Sequence, residues 1–144
     1  MKLYIACDHA AIEMKDEITA YLREKGHDVE DLGINIAEKI DYPVAAEKVA
    51  RKVVSDGESR GILICGTGIG MSMCANKHRG IRAALCNEAE STAMTRHHNN
   101  SNVLCLGARM IPFETALELT KVFLTTEFDG GRHERRVKML DNLL

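Results

Sequence analysis

The sequence is poor in aromatic residues and has no strong excess of charge of either sign. Aromatic residues make up 4% of the 144 residues and tryptophan is absent, which predicts a core of aliphatic side chains. The 19 lysines and arginines are balanced by 21 aspartates and glutamates. Nucleic-acid-binding modules usually carry a basic excess and disordered acidic chains a large net charge. The near-balance therefore argues against both classes.

Long apolar segments and paired cysteines are also lacking. The uncharged stretch 61–76 comes nearest to a membrane helix, but four glycines interrupt it and it falls short of the roughly 18 apolar residues required. The N-terminus reaches Asp8 too soon for the apolar core of a signal peptide. The five cysteines form no C-x-x-C pair, which predicts reduced thiols and a cytoplasmic location. The length predicts one domain, residues 1–144.

Short apolar runs alternate with amphipathic helical patterns along the whole chain. The predicted strands are residues 3–7, 29–32, 61–65, 82–86 and 103–106, and the last predicted helix covers about 134–144. Strands separated by helices are typical of an α/β fold in which a parallel sheet has helices on both faces. Ligands of such sheets bind outside the carboxyl ends of the strands. We therefore look for functional residues directly after each strand.

A glycine-rich turn, Cys65-Gly66-Thr67-Gly68-Ile69-Gly70, follows the third predicted strand. Glycines let successive N–H groups converge on an anion, and a thiol beside them should lose its proton more readily. The same residues could instead form only a tight turn between a strand and a helix, in which the cysteine packs as a small apolar side chain. The spacing departs from a dinucleotide fingerprint and from a nucleotide P-loop, and the arginine of a thiol phosphatase is missing. We interpret Cys65 as a base beside an oxyanion site.

Two histidine-containing pairs carry candidate chemistry, and each has an ordinary structural explanation as well. Asp8-His9 directly follows the first predicted strand. The pair could bind sugar hydroxyls there, or the aspartate could cap a helix. His98-Asn99 could transfer protons and bind hydroxyls, or His98 could complement a helix C-terminus. Adjacent His97 and His98 point in different directions and no other metal-ligand spacing occurs, so no metal site is predicted.

Arginines supply candidate phosphate ligands. Arg132 and Arg136 lie four residues apart on one helical face, and their planar guanidiniums suit one phosphate. Arg109, after the fifth strand, is a third candidate, although a solvated basic helix end would explain the pair equally well. Together the clusters favour proton transfer on a phosphorylated small molecule without metal, nucleotide or other cofactor. A non-catalytic nucleotide-binding or regulatory domain is the alternative from a different class.

Several short strings occur in the order and spacing of one enzyme family, over essentially the whole chain. They are Cys7-Asp8-His9, Asp41-Tyr42-Pro43, residues 64–70, Ala75-Asn76-Lys77, His98-Asn99 and residues 130–133. On these motifs the sequence closely resembles ribose-5-phosphate isomerase type B, a family that includes galactose-6-phosphate and allose-6-phosphate isomerases. The resemblance implies a three-layer, Rossmann-like sandwich working as a homodimer or a dimer of dimers, with sites shared across the interface.

The resemblance also implies an activity and residue roles. Ribose 5-phosphate and ribulose 5-phosphate would interconvert through a cis-enediolate, with Cys65 as the base. Thr67 and His98 would assist ring opening, and the backbone from Gly66 to Gly70 would hold the oxyanion. Asp8, His9 and Asn99 would bind substrate hydroxyls or the phosphate end. The phosphate would be held by Arg109, Arg132 and Arg136, some of them from the partner subunit.

Some positions depart from the family pattern without removing a named catalytic group. They are Ala11, Ile34, His97, Met71, Met73 and Cys74. We expect these side chains to touch the walls of the pocket, where they would affect the identity of the sugar more than the class of reaction. Allose or galactose 6-phosphate therefore stays open as an alternative substrate.

Overall fold

A computed structural model of the chain describes residues 1–35 and 39–144 and contains one five-stranded parallel sheet. The strands are β1 (Lys2–Cys7), β2 (Asp28–Asp31), β3 (Arg60–Cys65), β4 (Ala83–Leu85) and β5 (Val103–Gly107). Their spatial order is β2-β1-β3-β5-β4, and every neighbouring pair is parallel. The predicted parallel sheet is confirmed.

Helices cover both faces of this sheet. They are α1 (Ile12–Glu24), α2 (Tyr42–Ser55), α3 (Ile69–Ala75), α4 (Ala89–Asn99), α5 (Phe113–Thr125) and α6 (Arg132–Asp141). Alternate residues of a strand point to opposite faces. Ile62 and Ile64 accordingly pack with α1 and α5, whereas Leu63 and Cys65 pack with α2 and α3. The predicted three-layer, Rossmann-like sandwich is thereby confirmed.

The observed strand ends lie within one residue of their predicted positions, and the differences that matter for the fold concern β4 and the last helix. β4 covers three residues instead of five, because it lies at the sheet edge and pairs only with β5. The last helix begins at Arg132 rather than Glu134 and ends at Asp141. Gly130 and Gly131 both have positive φ, at 67° and 58°, and this left-handed pair lets the helix start immediately afterwards.

The parallel arrangement gives the sheet two distinct ends. We call the end where the strands finish the carboxyl edge and the opposite end the amino edge. Helix α4 starts just after β4 finishes and ends at Asn99, shortly before β5 starts, so it runs from the carboxyl edge to the amino edge. Since each strand residue advances roughly 3.3 Å, the six residues of β3 separate the edges by roughly 17 Å.

Three cysteines contribute to the core. Cys7, Cys86 and Cys105 are 2% exposed or less. Burial raises the pKa of Cys7 to about 11 and raises that of Cys105 as well. These thiols therefore stay neutral and pack as small apolar side chains.

None of the helices formed by residues 1–35 and 39–144 has both the length and the hydropathy that crossing a bilayer demands.

Candidate active site

The Cys65 thiol lies beneath the glycine-rich turn at the carboxyl edge. Cys65 is the last residue of β3 and is 5% exposed. Its Sγ accepts a hydrogen bond from the Gly68 N–H, with 3.1 Å between sulfur and nitrogen. Gly68 has a φ of 79°, and a Cβ there would lie 2.6 Å from Leu85 Cδ1, so both backbone conformation and space require glycine. The sulfur and the turn residues 65–70, which we call the amide cup, thus occupy one site.

The amide cup is fixed by the loop that follows β5. The Ala108 N–H donates to the Cys65 carbonyl at 2.8 Å, and the Arg109 N–H donates to the Gly66 carbonyl at 2.9 Å. A Cβ at Gly107 would lie 2.6 Å from the Thr67 carbonyl carbon, so the two backbones are in close contact. The cup is therefore a rigid feature of the backbone.

Arg109 and Thr67 bring side-chain groups to this cup. The Arg109 side chain lies over Gly66, where an added Cβ would be 3.3 Å from its Nη1. Thr67 is exposed, and its Oγ1 accepts a hydrogen bond from the Ile69 N–H at 3.2 Å. A guanidinium and a hydroxyl are thus available beside the converging amides.

Asp8 and His9 follow β1 at the same edge. The Asp8 N–H donates to the Ile64 carbonyl at 3.2 Å, which ties this turn to the end of β3. Asp8 Oδ1 accepts the Ala10 N–H at 2.9 Å, so one carboxylate oxygen serves the local turn. His9 is exposed, with its Nδ1 3.4 Å from the Ile40 carbonyl oxygen.

Tyr42 is a residue of this edge to which the sequence analysis assigned no role. It begins α2, and its half-exposed ring packs against Gly70, where an added Cβ would lie 2.6 Å from Tyr42 Cζ. The ring therefore forms one wall of the amide cup. The Asp41-Tyr42-Pro43 string was the available signal, but its spacing alone indicates only a helix start.

The other predicted site residues lie at the amino edge. His98 and Asn99 end α4, and Arg132 and Arg136 lie exposed on α6. The His98 ring stacks on that of His133, with 4.5 Å between centroids and 15° between planes. Desolvation, followed by the charges of His98 and the two arginines, lowers the pKa of His133. A cluster of imidazoles and guanidiniums thus forms here, and we call it the cation cluster.

An aspartate holds the cation cluster together. Asp129 Oδ1 accepts a hydrogen bond from His97 Nδ1 at 2.6 Å, and the Asp129 N–H donates to the His97 carbonyl at 3.0 Å. One ligand atom each of His98, Asp129 and His133 lies within 4.8 Å of the others. The fold therefore assembles a potential metal-ligand group that sequence spacing did not predict. The nearly parallel rings, however, direct their in-plane nitrogen lone pairs into separate planes.

The amide cup and the cation cluster do not meet within one chain. The cup lies at the carboxyl edge and the cluster at the amino edge, separated by the length of the strands. A cavity of about 390 Å³ at the amino edge is lined by residues that include Asn99 and Arg82 but not Cys65. The predicted site residues of the carboxyl edge, which are Asp8, His9, the turn 65–70 and Arg109, are thus at one edge, whereas His98, Asn99, Arg132 and Arg136 lie at the other.

Three departures from the family pattern are core residues rather than the pocket walls that we expected. Ala11 and Ile34 are buried beside α1, and Met71 is fully buried between α2 and the sheet. Apolar side chains at these positions adjust packing, so they give no information on the sugar. Met73 is exposed.

Comparisons with known proteins agree on one family. The family model described as Ribose/Galactose Isomerase matches residues 3–140. Ribose-5-phosphate isomerase B of Escherichia coli (strain K12) is 42% identical over 139 residues, which cover 96% of this chain and 93% of that protein. A solved ribose 5-phosphate isomerase from Thermotoga maritima is 48% identical, with a TM-score of 0.95 and coverage of 99% and 98%. The Mycoplasma genitalium ribose-5-phosphate isomerase B, solved with bound ribulose 5-phosphate, is 40% identical, with a TM-score of 0.95 and coverage of 97% and 93%.

Proposed function

The chain belongs to the ribose/galactose isomerase family and is a sugar-phosphate isomerase; on this premise we propose that it interconverts ribose 5-phosphate and ribulose 5-phosphate through a cis-enediolate. The observation that carries the proposal is the Cys65 sulfur lying 3.1 Å from the Gly68 nitrogen inside the amide cup. An N–H donor aimed at sulfur accommodates a thiolate, which is the reactive form of cysteine.

Cys65 acts as the general base. In the open-chain aldose, the thiolate removes the proton from C2, and the electron pair of that C–H bond forms the C1–C2 double bond of the enediolate. The carbonyl electrons move onto O1, which then receives the hydroxyl proton from the oxygen on C2. The same thiol returns its proton to C1, and the oxygen on C2, now without its proton, becomes the ketone. Each N–H donor aimed at the developing oxyanion contributes roughly 3–4 kcal/mol. The backbone of residues 65–70 supports this role because hydrogen bonds from the Ala108 and Arg109 N–H groups hold the turn in place.

Ring opening precedes this step, because ribose 5-phosphate exists mainly as a furanose. A proton must leave the anomeric hydroxyl and another must reach the ring oxygen. Thr67 and His98 carry these transfers in our proposal. The Thr67 oxygen accepts a hydrogen bond from the Ile69 N–H, so its own proton is free to be donated. His98 supplies an imidazole, the usual group for proton transfer near neutral pH.

The remaining polar residues bind the substrate. Asp8, His9 and Asn99 hold its hydroxyls, and the arginines at positions 109, 132 and 136 hold its phosphate. Guanidiniums suit this task because their paired N–H groups match two phosphate oxygens. An extended pentose phosphate is much shorter than the roughly 17 Å that six strand residues span. It cannot reach the cup and the cation cluster of one chain.

We therefore propose a homodimer in which the amide cup of one chain faces the cation cluster of the other. A two-fold axis makes such pairing reciprocal and produces two equivalent sites. Ile69 and Met73 are exposed beside the cup, and Leu140 and Leu143 are exposed at the end of α6. These apolar side chains are the contacts that a second copy would cover. Assembly into a dimer of dimers stays a prediction from the resemblance.

A substrate panel tests the sugar. Protein treated with EDTA is mixed with ribose 5-phosphate, allose 6-phosphate or galactose 6-phosphate, and catalytic efficiency is measured for each. The ribulose 5-phosphate bound by the Mycoplasma genitalium relative supports the five-carbon substrate. Higher catalytic efficiency with allose 6-phosphate or galactose 6-phosphate would identify that six-carbon sugar phosphate as the substrate instead. No turnover of any sugar phosphate would favour the nucleotide-binding or regulatory alternative.

The variant Cys65→Ala tests the base. We expect kcat with ribose 5-phosphate to fall more than about a hundredfold while phosphate binding survives, because only the proton-transfer group is removed. Cys74→Ser is the matched control, since Cys74 lies on the neighbouring helix α3 and contacts the Pro43 carbonyl. A Cys65→Ala enzyme that retains most of its activity would exclude Cys65 as the base. Release of inorganic phosphate by the wild type would indicate a thiol phosphatase instead.

Two broader predictions accompany this function. Residues 1–144 act as a single sugar-phosphate isomerase domain, in line with the family match over residues 3–140. A cytoplasmic location remains a prediction from the sequence.

A further inference from the structure

The Asp129 carboxylate lies among three histidines at the junction of α4 and α6. We propose that Asp129 is a positioning residue for ring opening, which it supports by holding His98 and His133 in their stacked arrangement beside a negative charge. This inference rests on the proposed function, because it assigns His98 to the transfer of a proton to or from the sugar ring.

The geometry ties the segment between α5 and α6 to the end of α4 at two points. Arg96 Nε donates to the Thr126 carbonyl at 3.0 Å, and Arg96 is itself 4% exposed. Three residues later, Asp129 bonds to His97 through both its carboxylate and its N–H. Gly130 and Gly131 then reverse the chain into α6. Among the residues that the structure describes, the His97–Asp129 pair is the hydrogen bond to α4 that lies nearest in sequence to His133, whose ring stacks on His98.

Besides holding the chain in place, the Asp129 carboxylate acts as a negative charge beside the stacked rings of His98 and His133. His97 and His98 from α4 and His133 from α6 lie close to the Asp129 carboxylate. The charges of Arg132 and Arg136 act on His133. Glu134, the acidic residue in the first turn of α6, interacts with Lys138 at 3.5 Å. Asp129 opposes the charges that lower the pKa of His133. An imidazole that accepts a proton in this cluster therefore gains a nearby counter-charge, as in other carboxylate–histidine pairs.

The two halves of the reaction separate the role of Asp129 from that of Cys65. Ribose 5-phosphate must open its ring before C2 can lose a proton. Ribulose 5-phosphate has no furanose form, because the oxygen that would close the ring carries the phosphate. Removal of its C1 proton therefore needs Cys65 and the amide cup but no ring opening. Exchange of that proton with deuterium from D2O reports this step alone.

The experiment compares Asp129→Asn, Asp129→Glu and Cys65→Ala with the wild type. For Asp129→Asn, we expect kcat with ribose 5-phosphate to fall roughly ten- to a hundredfold, while deuterium exchange into C1 of ribulose 5-phosphate, measured at saturating substrate, keeps the wild-type rate. Asp129→Glu should recover part of the lost activity because it keeps the charge. Cys65→Ala should lose both readouts.

Several outcomes would overturn the inference. Equal losses of turnover and of exchange in Asp129→Asn would mean that Asp129 has only a general structural role. Unchanged turnover would mean that Asp129 has no role in ring opening. Tight binding of Zn²⁺ to the wild type that disappears in Asp129→Asn would make the carboxylate a metal ligand instead. Failure of the wild type to exchange or isomerise either pentose phosphate would count against the proposed function itself.

Discussion

The two edges of the sheet are constructed by different means. At the carboxyl edge, backbone hydrogen bonds from residues 108 and 109 fix the amide cup around a buried sulfur. At the amino edge, partly exposed side chains at helix ends form the cation cluster, held by the His97–Asp129 pair and a stack of two imidazoles. In the function that we propose, the chemical step takes place at the backbone turn of the carboxyl edge. Substrate recognition depends on side chains that, in the proposed dimer, come from the second chain.

Among the substitutions that leave the proposed proton-transfer groups and Asp129 in place, Arg132→Gln gives the largest expected effect. A hydrogen bond to a charged group is worth roughly 1.5–3 kcal/mol, so kcat/KM with ribose 5-phosphate should fall about ten- to a hundredfold, mainly through KM. Steady-state kinetics measure this change. Lys138→Gln is the control, because Lys138 lies on the same helix but pairs with Glu134. Equal losses in both variants would mean that α6 attracts the substrate only through its general charge.

The variant Gly107→Ala tests whether the carboxyl edge is as rigid as we describe. Its Cβ would lie 2.6 Å from the Thr67 backbone, and such overpacking costs roughly 1–3 kcal/mol of unfolding free energy. Urea denaturation measures the loss. Gly57→Ala is the matched control, because no atom lies within 4 Å of its added Cβ and its φ is not positive. Similar stability of the two variants would show that the cup adapts easily.

The smallest expected effect is the change in the pKa of His133 caused by a substitution of His98. This pKa lies below the ordinary value of 6.5 because of desolvation and then the charge of His98. Between that lowered pKa and 6.5, the unfolded chain binds a proton that the native chain does not, so stability falls as pH falls through this window. The variant His98→Asn should raise the pKa of His133, and NMR titration of its imidazole measures the change. His78→Asn is the control, and an unchanged pKa in both variants would contradict the stack.

The sequence predicted the amide cup well because the cup is formed by one short segment. Residues 65–70 are contiguous, and the glycines that the turn requires are visible in the string itself. The parallel sheet and its helices follow from the alternating apolar patterns. β4 was predicted too long because its edge position depends on strand order, which periodicity does not reveal.

The amino edge was predicted only as separate fragments. His97 and Asp129 are separated by 32 residues and bond only after α4 and α6 have packed. The stacking of His98 on His133 depends on the same packing, and neither spacing nor composition indicates it. The buried position of Met71 likewise depends on how α3 lies against the sheet. Such contacts are tertiary, and a single sequence contains no local signal for them.

Mixing two inactive variants tests the shared site most directly. In a dimer of one Cys65→Ala chain and one His98→Asn chain, one site combines both defects and the other combines an intact cup with an intact cation cluster. Random reassociation of equal amounts should therefore restore about a quarter of the wild-type activity, since half of the dimers are mixed and half of their sites are intact. If each chain contained a complete site, every site would carry one defect. Activity after mixing would then stay at the level of the separate variants, and this result would contradict the account.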